Sequence, residues 1–162
     1  MLQRIKDWSI ALVIAAVIAF IVGRPSGGPP LSEAAPPVEL ASLDGDALRL
    51  ADMNGQTVVV NFWASWCGPC RKEVPEFSRF AKDHPEIAVW GLAVDSGDEP
   101  DVRRSAKQFG IDYTVALADS ATVRAYGVDA FPTTVVVGPQ GTVEHVTIGA
   151  MSYAQLERAA GL

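Results

Sequence analysis

The sequence predicts an α/β domain, and three observations carry that expectation. Two near-continuous apolar runs, TVVVNFWA over 57–64 and IAVWGLAV over 87–94, read as strands buried on both faces of a sheet. Amphipathic helical segments alternate with these runs, as they do where helices cover a sheet. Near the carboxyl end, Thr133 to Val137 and Thr142 to Ile148 flank the turn residues Pro139-Gln140-Gly141. Those two strands therefore lie antiparallel, and the sheet is mixed.

Taken in order, Val38 to Leu50 holds two short apolar stretches around Asp44-Gly45, a hairpin signal. The run at 57–64 follows as the first buried strand. From Cys67 to about Asp83, Val74, Phe77 and Phe80 recur at helical spacing, so a helix begins at or just after Cys67. The second buried strand spans Ile87 to Val94. Pro100 suits the first turn of a helix running to Phe109, and a short strand follows near Tyr113 to Leu117. A short helix over Ser120 to Tyr126 is stopped by Gly127, and after the terminal hairpin Ser152 caps a last helix through Ala160. Trp90 belongs to the core of its strand.

At 162 residues the chain has room for one domain. Its 49% hydrophobic and 20% charged residues, with 14 Gly, 11 Pro and two Cys, exclude collagen-like, wholly disordered and disulfide-rich scaffolds. The net charge of −6 argues against a surface that tracks nucleic-acid phosphates. That charge is uneven: residues 1–24 carry +2, while ten basic and eighteen acidic residues beyond Arg24 give −8.

Residues 1–24 are a different object from the rest. Between Asp7 and Arg24 lie sixteen uncharged residues, WSIALVIAAVIAFIVG, whose helix would span about 24 Å, close to a bilayer core once Lys6 and Arg24 snorkel and Trp8 sits at the interface. A cleaved secretory signal is the competing reading, since Ile10 to Val22 also fits a signal's apolar stretch. No A-x-A-like site stands where that stretch ends, which favours an uncleaved transmembrane anchor. Arg4, Lys6 and the terminal amine before the span, against Arg24 after it, place the amino terminus in the cytoplasm and the domain on the other side of the cytoplasmic membrane. Residues 25–37, PSGGPPLSEAAPP, read as a Pro/Gly/Ala-rich linker, and the domain is expected over 38–162.

The chemistry is concentrated in Trp66-Cys67-Gly68-Pro69-Cys70, where a buried strand turns into a helix. A C-x-x-C on a first helical turn brings two sulfurs within bridging distance. Unpaired N–H groups and the positive end of the helix dipole stabilise a thiolate at Cys67, lowering its pKa from about 8.5 toward roughly 7. Cys67 is thus the attacking sulfur and Cys70, one turn in, the resolving one. Pro69 fits the turn because its missing N–H would have had no partner there. An inert disulfide is a weak alternative, since a loop of two residues constrains the unfolded chain little. Zinc lacks a four-ligand set, because no second C-x-x-C exists and His84 and His145 stand in unrelated contexts. Two thiolates could still hold Cu(I), so a copper-binding thiol carrier stays open. No cofactor and no metal site are otherwise expected.

With these residues in view, the chain resembles the thioredoxin superfamily, and within it the membrane-anchored TlpA/ResA-type thiol-disulfide oxidoreductases, relatives of the AhpC/TSA-like redoxins. The resemblance covers roughly 38–162 and is strongest in VVVNFWASWCGPCRKEVPEF, residues 58–77, where Trp63, both cysteines and Pro75 fall at family spacing. It implies a three-layer α/β/α thioredoxin fold with an N-terminal β-hairpin and one inserted helix-strand unit, placed at about Asp98–Leu117. It also implies that Pro75 kinks the active-site helix, that Phe131-Pro132 is a cis peptide, and that the backbone before Pro132 faces the cysteines and pairs with a client. Trp66, Gly68, Pro69, Phe131, Pro132 and Gly149 then form the client-facing surface.

One departure matters for mechanism. Asn61 stands where thioredoxins carry a buried Asp, and an amide cannot take up a proton. The resemblance points instead to an acid after the central strand, with Asp98 and Glu99 as candidate proton carriers and Asp95 a weaker third. Arg71, Lys72 and Glu73 read as a solvated helix face. Peroxidase chemistry is disfavoured, because Ala64 occupies the position three residues before the cysteine where those sites carry Thr.

The expected activity is therefore extracytoplasmic thiol-disulfide exchange, in the direction of a reductant of protein disulfides such as apocytochrome c thiols, with a membrane thiol-electron transporter as second partner. A disulfide-donating oxidase is the alternative direction.

Overall fold

The computed structural model describes residues 28–162. The expected anchor at 1–24 and the first residues of the linker lie outside the described residues, within which no helix is long and apolar enough to cross a membrane.

A five-stranded mixed sheet is the scaffold. Its strands are β3 (Val58–Trp63), β4 (Ala88–Ala93), β5 (Thr114–Leu117), β6 (Thr133–Val137) and β7 (Val143–Ile148), in the order β5-β4-β3-β6-β7. β3 pairs parallel with β4 and antiparallel with β6, while β4–β5 is parallel and β6–β7 antiparallel. A separate hairpin, β1 (Glu39–Ala41) with β2 (Ala47–Arg49), turns at Asp44-Gly45, where Gly45 adopts φ 94°. Left-handed backbone of that kind costs glycine little.

Side chains alternate across β3, and the two sets define two cores. Val58, Val60 and Phe62 pack with Trp90, Leu92, Val135 and Tyr126 on one side. The helix α3 (Ser120–Ala125) and the hairpin cover that face. Val59 and Trp63 face the other side, against α1 (Gly68–Asp83), α2 (Glu99–Phe109) and α4 (Tyr153–Ala159). These layers give the expected α/β/α sandwich. Phe77 and Phe80 of α1 are wholly buried, each worth about 2–3 kcal/mol of burial, and fix the helix over the central strand. The helix runs on through Pro75, whose ring faces solvent.

The unit expected over Asp98–Leu117 forms α2 and the edge strand β5. That edge is not left bare: Ser42 bridges to Ala116, and Leu43 N donates to Val115 O at 2.7 Å, so the hairpin tip covers it. The opposite edge is covered by chain expected to be free linker. Ser32 N donates to Val143 O at 2.7 Å, Val143 N to Glu33 O at 2.9 Å and Ala35 N to Gly141 O at 2.8 Å. Gly28 also lies against Val146, and close to Gly127. Composition carries no sign of this, because a Pro- and Gly-rich strap needs no hydrophobic period of its own to satisfy an open strand edge. Residues 28–37 therefore belong with the folded domain.

Candidate active site

The redox pair sits where β3 hands the chain to α1. Cys67 is the N-cap residue of α1 with extended backbone, Pro69 lies in the first turn, and Cys70 is one turn in. The two sulfurs form a disulfide with the Cα atoms 5.3 Å apart, and Cys70 N donates to Cys67 Sγ at 3.1 Å. That backbone N–H is one of the orphan donors of the helix start, and it is aimed at the sulfur that must carry negative charge once the pair is reduced. Both sulfurs are buried, Cys67 at 4% exposed and Cys70 at 1%.

Around the pair, the predicted surface residues converge. Trp66 is 65% exposed, its ring meets Phe131 edge-on at 5.6 Å, and its Nε1 donates to Asp95 O at 3.1 Å. The loop that receives it is braced from below, with Ser96 Oγ accepting from Ser65 N at 2.9 Å and donating to Val94 O at 2.8 Å. Phe131-Pro132 is cis, as the resemblance implied, and Phe131 packs against the same cluster as Trp63, Cys67 and Cys70. Gly149 N donates to Pro132 O at 2.8 Å, and Ile148 beside it is 52% exposed. Gly68 and Pro69 are exposed at the helix start.

Of the acids, Asp98 and Glu99 make local contacts of their own, and Glu73 is placed otherwise than expected. Asp98 is the N-cap of α2, its Oδ1 accepting from Asp101 N at 3.1 Å. Glu99 is exposed and pairs with Arg103 at 2.8 Å. Asp95, with φ 45°, contributes its carbonyl to Trp66. Glu73, expected on a solvated face, is 2% exposed. It stands three residues after Cys70 on the same helix face, and its carboxyl is held from two sides: Asn61 Nδ2 donates to Oε1 at 2.9 Å and Met151 N to Oε2 at 3.1 Å. Asn61 Nδ2 also donates to Thr134 Oγ1 at 3.1 Å, which fixes the amide. Both donors favour the ionised carboxylate, yet burial outweighs them and pushes the Glu73 pKa up to about 7. The signal for Glu73 is present in the sequence. Positions 70, 73, 74, 77 and 80 form one helical stripe, and four of the five are apolar or cysteine.

Arg71 and Lys72 are exposed as expected, with the Arg71 guanidinium 5.8 Å from the Phe109 ring centre. Among the described residues no group of three or more His, Cys, Asp or Glu is placed to hold a metal ion.

The redox pair at a helix start lies one turn from a buried acid. The model of the AhpC/TSA family matches residues 31–146. The chain belongs to this family, as a TlpA/ResA-type member of the thioredoxin superfamily. It is 33% identical over 124 residues to the thiol-disulfide oxidoreductase ResA of Bacillus subtilis, a match covering 75% of this chain and 69% of that protein. ResA of Bacillus anthracis is 32% identical over 130 residues, covering 78% of this chain and 75% of that one. Among solved structures, a thiol:disulfide interchange protein of the thioredoxin family from Chlorobium tepidum superposes with a TM-score of 0.72 at 30% identity, over 82% of this chain and 97% of that one. This ResA-like protein is thus a thioredoxin-like protein-disulfide oxidoreductase.

Proposed function

We propose that this oxidoreductase is a reductant of protein disulfides, tethered to the outer face of the cytoplasmic membrane, in the periplasm or its equivalent. Its clients are envelope proteins, apocytochrome c thiols before haem attachment among them. The observation that supports the exchange step is the Glu73 carboxyl, 2% exposed one turn below Cys70 and held by Asn61 Nδ2 and Met151 N, because a resolving thiol needs a nearby proton acceptor. The direction rests on the Gly68-Pro69 pair inside the motif and on the ResA relatives.

In the reduced protein the Cys67 thiolate attacks one sulfur of a client disulfide, forming a mixed disulfide and releasing the client's other sulfur as a thiolate, which takes a proton from solvent. Cys70 then gives its proton to the Glu73 carboxylate and attacks Cys67 Sγ. The Cys67–Cys70 bond closes, and the client's second sulfur leaves as a thiolate and is protonated. Two electrons have passed to the client. A membrane thiol-electron transporter returns two electrons, and Glu73 returns its proton to Cys70.

Trp66, Phe131 and Ile148 surround the pair with exposed or half-buried apolar surface suited to a protein chain. The packed strap supports a close tether. Four Cα-to-Cα steps separate Arg24, the expected end of the span, from Gly28 on the domain, a reach of at most about 14 Å. Both redox partners would then be met at the membrane surface, where effective concentration is high.

The test of direction is the equilibrium reduction potential of the full chain in detergent, titrated against defined thiol buffers with trapping of free Cys67 and Cys70. A reductant gives about −230 mV or lower, whereas a value near about −120 mV would make the protein a disulfide donor.

A further inference from the structure

The side chain of Trp66 has one polar atom, and it is already used. Nε1 donates to Asp95 O at 3.1 Å, so the ring, 65% exposed, offers a client its indole face and not a hydrogen bond. An indole face carries negative partial charge and attracts Lys or Arg more strongly than the other aromatic rings do. Phe131 meets the ring edge-on, with centroids 5.6 Å apart and planes at 81°, and leaves indole surface open. Among the described residues no Lys or Arg of this chain lies over it: the Arg71 guanidinium lies near the Phe109 ring and that of Arg79 near Tyr153.

One exposed carboxylate stands on each of the two loops that hold this aromatic pair. Asp95 belongs to the loop after β4 that accepts from Trp66 and is braced by Ser96. Covalent geometry keeps a residue's carbonyl oxygen and its own carboxylate within roughly 6 Å, so the Asp95 charge stays within roughly 9 Å of Trp66 Nε1 whichever way its side chain turns. Asp129 stands two residues before Phe131, in a loop pinned by Thr133 Oγ1 donating to Ala130 O at 2.8 Å. Among the described residues neither Asp95 nor Asp129 forms a salt bridge, whereas Glu99 pairs with Arg103 and Asp101 with Arg104. Free carboxylates beside an open indole face suit a cation that this chain does not itself supply.

We propose that Trp66, Asp95 and Asp129 select clients carrying Lys or Arg next to the reacting cysteine. The client's cation lies on the indole face, and the two carboxylates answer its charge. Asp95 and Asp129 thus decide which client is bound and take no part in breaking or forming the sulfur bonds. This rests on the reading that a client chain meets Trp66 and Phe131 as it reaches Cys67. Two weak surface contacts acting together, a cation over an aromatic ring and an exposed ion pair, favour the charged client by roughly fivefold. The −8 carried beyond Arg24 also draws basic peptides in from a distance, so a carboxylate far from the site serves as the control.

The probes are two synthetic peptides of one cysteine each, held as the mixed disulfide with 2-mercaptoethanol and differing only in Lys or norleucine on either side of that cysteine. They are mixed with the reduced full chain in non-ionic detergent. Cys67 attacks the peptide sulfur, 2-mercaptoethanol leaves as a thiolate, and Cys70 then releases the reduced peptide. Each second-order rate is divided by that of dithiothreitol with the same peptide, which removes the effect of Lys on the disulfide itself. The wild type prefers the Lys peptide by roughly fivefold, and Asp95→Asn combined with Asp129→Asn, or separately Trp66→Leu, brings that preference below about twofold. Asp112→Asn leaves the preference in place, because that exposed carboxylate precedes β5 at the end of the parallel strands away from the cysteines. No preference in the wild type, a preference unmoved by the double variant, or an equal fall in Asp112→Asn would overturn the proposal. Failure of the client-surface reading looks different: Trp66→Leu then leaves the rates with both peptides unchanged, and the proposal falls with it.

Discussion

Glu73→Gln replaces a buried carboxyl by a neutral amide of the same length, and the consequence for stability can be worked from the site. In the folded, oxidised protein Glu73 titrates at about 7, against 4.5 for the unperturbed group. Below pH 4.5 both folded and unfolded chains hold the proton, and the stability from this group is fully present. Between 4.5 and about 7 the unfolded chain ionises while the folded one keeps its proton, so stability falls as pH rises. Above about 7 both are ionised and the loss is complete. A shift of about 2.5 units corresponds to a loss on the order of 3 kcal/mol, at about 1.4 kcal/mol per unit. The Glu73→Gln variant would show no such fall, but the single carbonyl oxygen of its amide faces two donors, Asn61 Nδ2 and Met151 N, at a pH-independent cost of about 1 kcal/mol or more.

The assay is thermal unfolding of the oxidised full chain and of Glu73→Gln, in the same detergent, from pH 5 to 8. Other groups titrate alike in both proteins and cancel in the difference. The wild type is the more stable at pH 5, and its advantage shrinks by roughly 10 °C in Tm by pH 8, where the variant equals or exceeds it. A difference that stays constant across this range would refute the claim that burial holds the Glu73 proton.

Three further outcomes are expected. Asp98→Ala removes the cap of α2 and costs about 1 kcal/mol in denaturant unfolding, while the pH profile of Cys67 alkylation keeps its midpoint; a moved midpoint would restore Asp98 as a proton carrier. Trp66→Ala raises the concentration of a protein client needed for half-maximal exchange by roughly tenfold and leaves exchange with a small thiol unchanged, because the ring is exposed contact surface beside Phe131; parallel loss on both substrates would contradict that role. Inserting about fifteen Gly/Ser residues between Gly27 and Gly28 leaves client exchange in detergent unchanged but slows re-reduction in native membranes, measured by thiol trapping of the cysteines; an unchanged rate would mean that a close tether is not needed.

The parts of this molecule legible in the sequence are those with a local signature. The runs at 57–64 and 87–94 become β3 and β4 because an all-apolar segment of that length has few other places to go, and Asp44-Gly45 becomes a turn because glycine tolerates its backbone. The pair Cys67/Cys70 is legible for the same reason, since its geometry is set within one helical turn. Glu73 is misjudged when a charged residue is weighed by type rather than by phase. Its place on the stripe with Cys70 and Phe77 marks it as buried, and its partners Asn61 and Met151 are 12 and 78 residues away. The strap at 32–35 has no local signature, because its order comes from the edge of β7 and not from its own side chains. Trp63 and Tyr113 meet at Gly91 only through the alignment of β3, β4 and β5, which no short window of sequence contains.

The division of labour between the two cysteines is tested most directly by trapping. Full-length chain carrying Cys70→Ala and its counterpart carrying Cys67→Ala are each reduced, mixed with a disulfide-bonded client protein, quenched with acid and resolved without reductant. Cys70→Ala is expected to accumulate a client adduct through Cys67, because the attacking thiolate sits at the helix start and nothing remains to resolve it. Little adduct is expected with Cys67→Ala, whose remaining thiol is 1% exposed in the folded protein. Adduct formed mainly through Cys70, or equally by both variants, would contradict the assignment of attacking and resolving sulfurs on which the mechanism stands.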